Sequence, residues 1–345
     1  MGKEITIYDI ATKLNLSAAT VSRGLKGHPS ISASTRKRIV DTARELGYRF
    51  NSFASNLRLQ RTNTIGIIVP RLNSNFMSDA IAGMEKVANK AGYKIIISQS
   101  LESTIKETEN ISTLFNARVD GLLVSLASDT SSISEFEQFI NRNIPVVFFD
   151  RVFNHPKCPN IVIDNYRAGY EAADHLFQKG CRRIMHIGGN QTGKVYRERF
   201  EGYQKALRDH GLIASEDLLI ISQLSFEEGT SAAVQILAMN EKPDGVFVAN
   251  DACAIGCMLE LKKHGVKIPE EIAFVGFNND PMALVIEPNL TTIDYPGEEM
   301  GELGATLLLS LLNNNNDDNF EQTLLLPHKL MDRQSSQKAA SLEIK

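Results

Sequence analysis

The sequence has few cysteines and no long apolar run. Four cysteines among 345 residues are typical of reduced thiols in a cytosolic protein rather than of a disulfide framework. The longest apolar stretch, residues 303–312, is interrupted by glycine, threonine and serine and is half of the roughly 20 residues that a membrane helix needs. Residues 1–4 lack the apolar core of a secretory signal. These absences predict a soluble, cytoplasmic protein without a membrane partner.

Residue groupings that would indicate an enzyme are also missing. Cys253 and Cys257 are one helical turn apart, but no second Cys/His pair is near in sequence, so two buried small residues are the favoured interpretation. Residues 188–194 (GGNQTGK) fit the spacing of a phosphate-binding loop, yet Val195 stands where that loop needs a Ser or Thr for Mg²⁺. The following helix is expected to begin only around Tyr196. The sequence therefore predicts no enzyme activity, no catalytic residue, no metal site and no cofactor.

Charge is unevenly distributed along the chain. Residues 1–61 contain 11 Lys/Arg and 4 Asp/Glu, a net charge of +7, whereas the remainder contains 26 against 37, a net charge of −11. A small basic head followed by a large acidic body indicates a nucleic-acid-binding segment attached to a separate globular part.

The head shows three short helical patterns, predicted over residues 7–14, 18–25 and about 33–46. Two helices joined by about three residues, with a third packed across them, are typical of a helix-turn-helix. In the second helix Val21 and Leu25 are spaced to face a core, which leaves Ala18, Ala19, Ser22 and Arg23 on the exposed side. An arginine there suits guanine or phosphate. The alternative is an ordinary solvated face, but the basic charge of the head favours DNA binding.

Residues 51–58 follow the head and have no apolar stripe of their own. They could be a plain linker. Their polar character with a single leucine, Leu57, flanked by Arg58 and Arg61 also fits a marginal helix that becomes ordered on DNA, with the leucine inserted into the minor groove.

The head resembles the lactose/galactose repressor family. The matching segments are Thr6-Ile7-Tyr8-Asp9-Ile10-Ala11, Leu16-Ser17, Thr20-Val21-Ser22-Arg23, Thr35-Arg36 and Leu46-Gly47-Tyr48. The resemblance implies that the second helix reads the major groove, that residues 51–62 form a hinge helix paired with its twin in a dimer, and that Leu57 opens the central base step. The DNA-binding residues so indicated are Thr6, Tyr8, Ser17, Ala18, Ala19, Thr20, Ser22, Arg23, Asn51, Ala54, Leu57 and Arg58.

The body shows short apolar strands that alternate with helical patterns. Such runs separated by helices predict parallel sheets covered on both faces, and the rhythm occurs twice, before and after residue 160. We therefore expect two doubly wound lobes. The helices of the first lobe are predicted at about 76–91, 105–117 and 132–142, and those of the second at 166–179, 196–210, 227–239 and 251–264.

Polar and aromatic side chains gather where these strands end, which is where such sheets bind ligands. Amides, carboxylates and guanidinium groups beside an aromatic floor suit a small polyhydroxylated molecule. Asp150 could instead be a cap, and Asn250 could be the N-cap of the helix after it. Arg151, Asn279 and Asp280 also lie at these strand ends. The candidate effector-binding residues are Phe76, Met77, Ser125, Asp150, Arg197, Arg199, Asn250, Asp251 and Asn278.

The family resemblance continues through the body. It is carried by Arg199-Phe200-Glu201-Gly202-Tyr203, Val248-Ala249-Asn250-Asp251, Val275-Gly276-Phe277-Asn278 and Leu290-Thr291-Thr292-Ile293. It implies two periplasmic-binding-protein-like lobes joined by three crossovers. The predicted division is a headpiece at 1–50, a hinge at 51–62 and a core at 63–345. Lobe one covers about 63–161 and 296–323, and lobe two about 162–293 and 326–338.

These features predict a transcriptional regulator, most simply a repressor, whose affinity for a pseudo-palindromic double-stranded operator depends on a small molecule such as a sugar. Only about a dozen residues follow Arg333, too few for a heptad zipper, so a homodimer is expected rather than a tetramer. The alternative is a ligand-binding receptor without DNA function, which predicts a signal peptide and no basic head.

Overall fold

A computed structural model describes residues 5–48, 61–313 and 322–338. The hinge candidates Asn51, Ala54, Leu57 and Arg58 lie outside the described residues. By its internal contacts the chain divides after Thr62 into two compact units, Met1–Thr62 and Asn63–Lys345.

Within its described residues, the first unit contains three helices: α1 Ile7–Leu14, α2 Ala18–Leu25 and α3 Ala33–Glu45. Each begins at a hydroxyl residue, and the side chains of Ser17 and Ser32 accept hydrogen bonds from the backbone N–H groups of α2 and α3. The turn between α1 and α2 passes through Asn15, whose φ of 54° lies in the left-handed region. The core of this unit is small and consists of Ile10, Ala11, Val21, Ile39 and Ala43.

The second unit contains two parallel-rich sheets flanked by helices. In chain order its strands are β1 Thr64–Val69, β2 Lys94–Gln99, β3 Gly121–Val124, β4 Val146–Phe149, β5 Asn160–Ile163, β6 Ile184–Gly188, β7 Leu219–Ile221, β8 Gly245–Val248, β9 Ala273–Asn278, β10 Thr291–Asp294, β11 Thr323–Leu326 and β12 Lys329–Met331. Its helices are α4 Asn75–Lys90, α5 Thr104–Asn116, α6 Glu137–Ile140, α7 Asn165–Gln178, α8 Lys194–Asp209, α9 Phe226–Ala238, α10 Asp251–Lys263 and α11 Gly297–Asn313.

The strand order of the first sheet is β11-β5-β4-β3-β1-β2, and that of the second is β12-β10-β9-β8-β6-β7. All neighbours are parallel except β12, which pairs antiparallel with β10. The inner strands β3, β4, β6 and β8 are buried along their whole length, and β1 is buried except at Thr64, as expected for sheets covered on both faces. The expected pair of doubly wound lobes is confirmed.

The chain crosses between the sheets three times. The passages follow β5, β10 and β11, that is, after Ile163, Asp294 and Leu326. The predicted limit at 161 therefore falls inside β5, and the predicted limit at 323 falls at the start of β11, because both strands continue their ladders for two to three more residues.

Two predicted helices differ from the structure. The expected helix over 132–142 is a single 3₁₀ turn, Ser134–Phe136, followed by the one-turn α6. It stops early because Asn143 takes a φ of 55° and Pro145 follows. Helix α8 begins at Lys194 rather than around Tyr196, since Gly193 has the extended backbone of an N-cap residue.

Three helix pairs in this unit pack through reciprocal glycines. A Cβ atom built on any of these glycines would lie less than 3.0 Å from a backbone carbonyl oxygen of the facing helix. The backbones therefore touch with no side chain between them, an approach that only glycine permits. The pairs are Gly83 with Gly301 between α4 and α11, Gly169 with Gly202 between α7 and α8, and Gly229 with Gly256 between α9 and α10.

Candidate functional site

The candidate DNA-reading face lies on α2 of the first unit. Ala19 and Arg23 are exposed there, while Ser22 is half-buried. Ala18 departs from the expected exposure, because it packs half-buried against the head core. Arg23 is the long donor of this face, and its Nε donates to the Ala19 carbonyl at 3.4 Å. A small-residue surface with one guanidinium group can approach base edges or phosphates closely.

The remaining head candidates border this face. Ser17 Oγ accepts from the Thr20 N–H at 3.1 Å and lies 2.8 Å from the Thr20 hydroxyl, so both residues fix the start of α2. Thr6 and Asp9 form a capping box at the start of α1, with the Thr6 N–H donating to the Asp9 carboxylate at 2.8 Å. Tyr8, one residue before Asp9, is 69% exposed, so its ring and hydroxyl group are accessible.

The second unit has a cleft between its two lobes, formed by two adjoining cavities that share Arg151 and Tyr196. The larger, of about 370 Å³, is lined from the first lobe by residues that follow β1 and from the second lobe by residues 223–227, Asn250 and Asp280. The smaller, of about 250 Å³, lies between the loops after β3 and β4 and the start of α8. Of the nine predicted effector residues, Met77 and Asn250 line the larger cavity and Arg197 the smaller.

Asp150 lies directly below this cleft with both carboxylate oxygens occupied. Its Oδ1 accepts from the Tyr295 hydroxyl at 2.8 Å, and its Oδ2 accepts from the Ser125 hydroxyl at 3.2 Å. Tyr295 in turn stacks on Phe76 with 4.1 Å between ring centroids. These bonds account for Asp150 without a helix cap, so the capping alternative is wrong for this residue. Phe76, Ser125 and Asp150 are instead buried together as a support for the cleft floor.

Arg199 is likewise buried and internally paired. Its Nε donates to Asn165 at 2.9 Å, and its Nη1 donates to the Ala249 carbonyl at 3.1 Å. The guanidinium carbon lies 3.5 Å from the centroid of the Phe277 ring, a cation–π contact in a desolvated position. Arg199 thus joins α7, α8 and the ends of β8 and β9 beneath the cleft.

The side chains of Asn250 and Asp251, just after β8, form hydrogen bonds within the protein. Asn250 is the N-cap of α10, accepting from the N–H groups of Ala252 and Cys253, which supports the capping alternative. Asp251 is fully buried and accepts from the Thr292 hydroxyl at 2.7 Å and the Asp280 N–H at 2.8 Å. Burial raises the pKa of Asp251 to about 7.

Asn278 does not line either cavity. It ends β9 with a φ of 114°, a backbone strained for a residue with a side chain. The chain then turns so that Asp280, two residues later, faces the larger cavity. Burial raises the pKa of Asp280 to about 6, an effect that its hydrogen bond from the Asn75 side chain across the cleft partly offsets.

Arg151 and Asp280, which the sequence places at strand ends but outside the nine candidates, carry part of the polar lining. Arg151 faces both cavities and donates from Nη1 to Glu102 at 2.5 Å. Burial lowers the pKa of Arg151, but Tyr196, Glu102 and Asp150 raise it by more, so the guanidinium remains charged. Arg151 comes one residue after the candidate Asp150, and Asp280 comes two residues after the candidate Asn278. Their position just beyond the strand ends is visible in the sequence.

Among the described residues, no group of three or more His, Cys, Asp and Glu side chains is arranged to hold a metal ion. All four cysteines are buried free thiols. Within the same residues no helix is long and apolar enough to cross a membrane.

Comparison with known proteins identifies both units. Residues 6–51 match the family of bacterial regulatory proteins described as the lacI family, and residues 173–336 match the periplasmic binding protein-like domain. The HTH-type transcriptional regulator RegA of Clostridium saccharobutylicum is 32% identical over 333 residues, which cover 96% of this chain and 99% of RegA. The chain belongs to the lacI family. The repressor CytR of Escherichia coli K12, 32% identical over 305 residues, covers 88% of the chain and 89% of CytR.

Solved structures of other transcriptional regulators share the fold. The transcriptional regulator CelR in complex with cellobiose superposes with a TM-score of 0.72 at 26% identity, covering 96% of this chain and all of that one. The lac repressor dimer bound to operator and the anti-inducer ONPF gives a TM-score of 0.84 at 24% identity, covering 98% and 100%. As a lacI-family member the protein is a transcriptional regulator and not an enzyme. Its GGNQTGK segment accordingly serves as the loop before α8.

Proposed function

We propose that this regulator is a repressor which binds a pseudo-palindromic operator as a homodimer and is controlled by a sugar-like molecule in the cleft between its lobes. The observation that carries the proposal is the combination, in one chain, of an α2 face presenting Arg23 and an interlobe cleft lined by amide and carboxylate groups. We further propose that it acts in the cytoplasm and is associated with the nucleoid when bound to its operator.

The amide and carboxylate groups of the cleft support a hydroxyl-rich effector. Asn75, Gln223 and Asn250 offer amides, and Glu227 and Asp280 offer carboxylates, to the larger cavity. Such groups pair with the alternating donors and acceptors of a sugar ring. Tyr196 supplies an aromatic surface at the junction of the two cavities.

Exposed apolar side chains of the second lobe support the homodimer. Met282, Leu284 and Val285 are 52%, 61% and 71% exposed in and just after a 3₁₀ turn. A contiguous apolar surface of this kind is typical of a subunit interface. A twofold dimer presents two α2 faces to two half-sites, which is why the operator is expected to be pseudo-palindromic.

The regulatory mechanism is thermodynamic linkage. An effector that contacts both lobes favours one lobe angle, and that angle changes the spacing of the paired hinge segments on DNA. Effector affinity and operator affinity are then reciprocal, with a typical coupling of about 1–3 kcal/mol.

The test begins with selection of bound sequences from a random DNA library by the full-length protein, followed by mobility-shift titration of the selected site. Arg23→Ala is expected to weaken specific binding by about 1–3 kcal/mol. Arg44→Ala, which removes the same charge from the last turn of α3, is the matched control. Failure to select any sequence, with ligand binding intact, would favour the receptor alternative.

The hinge prediction is tested through Leu57. Leu57→Ala should weaken binding to the selected site far more than binding to unrelated DNA, because only the kinked complex uses the inserted leucine. Equal losses on both DNAs would mean that residues 51–58 are a plain linker.

A further inference from the structure

The smaller cavity of the cleft has a cationic lining. Three of its side chains are Arg151, Lys194 and Arg197, and Ser131 and Thr192 add hydroxyl groups. The described residues that line it include no carboxylate. A cavity so composed offers donors and positive charge to an oxyanion and little to a cation or an apolar group.

The carboxylates nearest this cavity are shared among several cations. Glu102 pairs with Arg71 at 3.5 Å and with Arg151 at 2.5 Å, so that one carboxylate serves two guanidinium groups. Asp150 and Glu107 also act on Arg151, and Asp150 acts on the buried Arg199 as well. Glu102 and Asp150 are therefore each shared between two guanidinium groups.

The first turn of α8 adds further positive charge to the lining. Lys194 has a long pairing with Glu198, 3.6 Å, which lies outside the cavity lining. Arg197 is exposed and forms no ion pair within the described part of the chain. An anion in this cavity would meet positive charge from Arg151 on one lobe and Arg197 on the other, so it would also hold the two lobes together.

The larger cavity is mixed in charge. Its lining includes Glu102, Glu227 and Asp280 beside Arg71 and Arg151, and its amides come from both lobes. Arg151 and Tyr196 stand between the two compartments. One compartment therefore suits hydroxyl groups, and the other suits an oxyanion.

We propose that the effector is a polyhydroxylated molecule with a terminal oxyanion, a phosphate or a carboxylate, and that Arg197 and Arg151 bind this anion in the smaller cavity. The inference rests on the proposed function, because it names the class of effector that the same cleft takes. It assigns Arg197 as the residue that distinguishes a charged sugar derivative from its neutral parent.

The experiment uses the full-length protein without DNA. Inorganic phosphate and, separately, acetate are titrated against chloride at constant ionic strength, with binding followed by isothermal calorimetry and thermal shift. We expect one of the two oxyanions to bind saturably, and Arg197→Gln to weaken that binding by about tenfold, the usual scale of one charge-assisted hydrogen bond. Which anion binds distinguishes the phosphate from the carboxylate.

Arg208→Gln is the matched control, because Arg208 is an exposed arginine near the other end of the same helix. Anion binding by the basic head is identical in both variants, so it cancels in the comparison. Saturable binding that is lost in Arg197→Gln and kept in Arg208→Gln supports the assignment. Absence of saturable binding for both anions, or equal binding by the two variants, overturns it. Neither result affects operator binding, which is measured separately.

Discussion

The importance of the close packing of α7 against α8 can be tested by a glycine-to-alanine substitution, which adds one methyl group at the contact. Gly202→Ala would place a Cβ atom less than 3.0 Å from the Tyr166 carbonyl oxygen, a contact that real structures essentially never show. Because that neighbour is backbone, no side-chain rotation relieves the clash, and the helices must separate. Helix α8 also carries Arg199, so the separation would stretch its bond to the Ala249 carbonyl, now 3.1 Å.

The expected cost follows from these contacts. Overpacking at a rigid site costs about 1–3 kcal/mol, and weakening a buried hydrogen bond of a charged group adds about 1–2 kcal/mol. Alanine in place of glycine within a helix stabilises the helix by about 1 kcal/mol, which offsets part of this cost. The free energy of unfolding should therefore fall by about 1–4 kcal/mol, which for a unit of this size lowers Tm by roughly 3–12 °C.

Thermal and urea unfolding, followed by circular dichroism, measure this change. Gly304→Ala is the control, since the neighbours of a Cβ atom there are the side chains of Leu123 and Ile161 at 3.3 and 3.5 Å, which can move. It should stay within about 1 kcal/mol of the unchanged protein. If Gly202→Ala is as stable as Gly304→Ala, the reasoning that backbone contact fixes the position of α8 is refuted.

Two further predictions concern buried polar groups under the cleft. Burial raises the pKa of Asp251 from 3.8 to about 7, so its carboxyl group stabilises the fold at low pH, and this contribution is lost as the pH rises from about 4 to 7. Asp251→Asn should therefore lose less stability than the unchanged protein between about pH 5 and pH 8, measured by urea titration. Equal losses in the two proteins would contradict the assignment. Tyr295→Phe leaves Asp150 Oδ1 without its donor at 2.8 Å and should lower the free energy of unfolding by about 1–3 kcal/mol, whereas a neutral change would mean that water replaces the hydroxyl.

The sheets were predictable from sequence because their strands are continuous apolar runs. The strand β10 was not, since Thr291 and Thr292 are polar residues that become buried only through distant partners. The Thr291 hydroxyl donates to the Arg333 carbonyl at 2.9 Å, and its N–H donates to Ser335 at 2.8 Å. Hydrophobic periodicity carries no signal for such a strand.

The region of the cleft was predictable from strand ends, but the roles within it were not. Asp150 is paired with Tyr295, and Arg199 with Asn165, residues 145 and 34 positions away. Asp150 and Arg199 therefore support the cleft from beneath. The residues that face the cavities are Arg151, next to Asp150, and Asp280, two residues after Asn278. A shift of one or two positions along the chain decides whether a side chain faces the cavity or packs beneath it. Local sequence propensity does not distinguish these two cases. By contrast, Asn250 as an N-cap was readable because its bonds are local.

The glycine-mediated helix pairs have a consequence for how such a protein can change over generations. Each lobe is held by backbone contacts that do not depend on which side chains occupy the ends of its strands. The loops at the cleft can therefore accumulate substitutions and acquire a new chemical preference while the lobes keep their shape. The two lobes, still joined by the same three chain passages, would then respond to a different metabolite while the DNA-binding head stays unchanged.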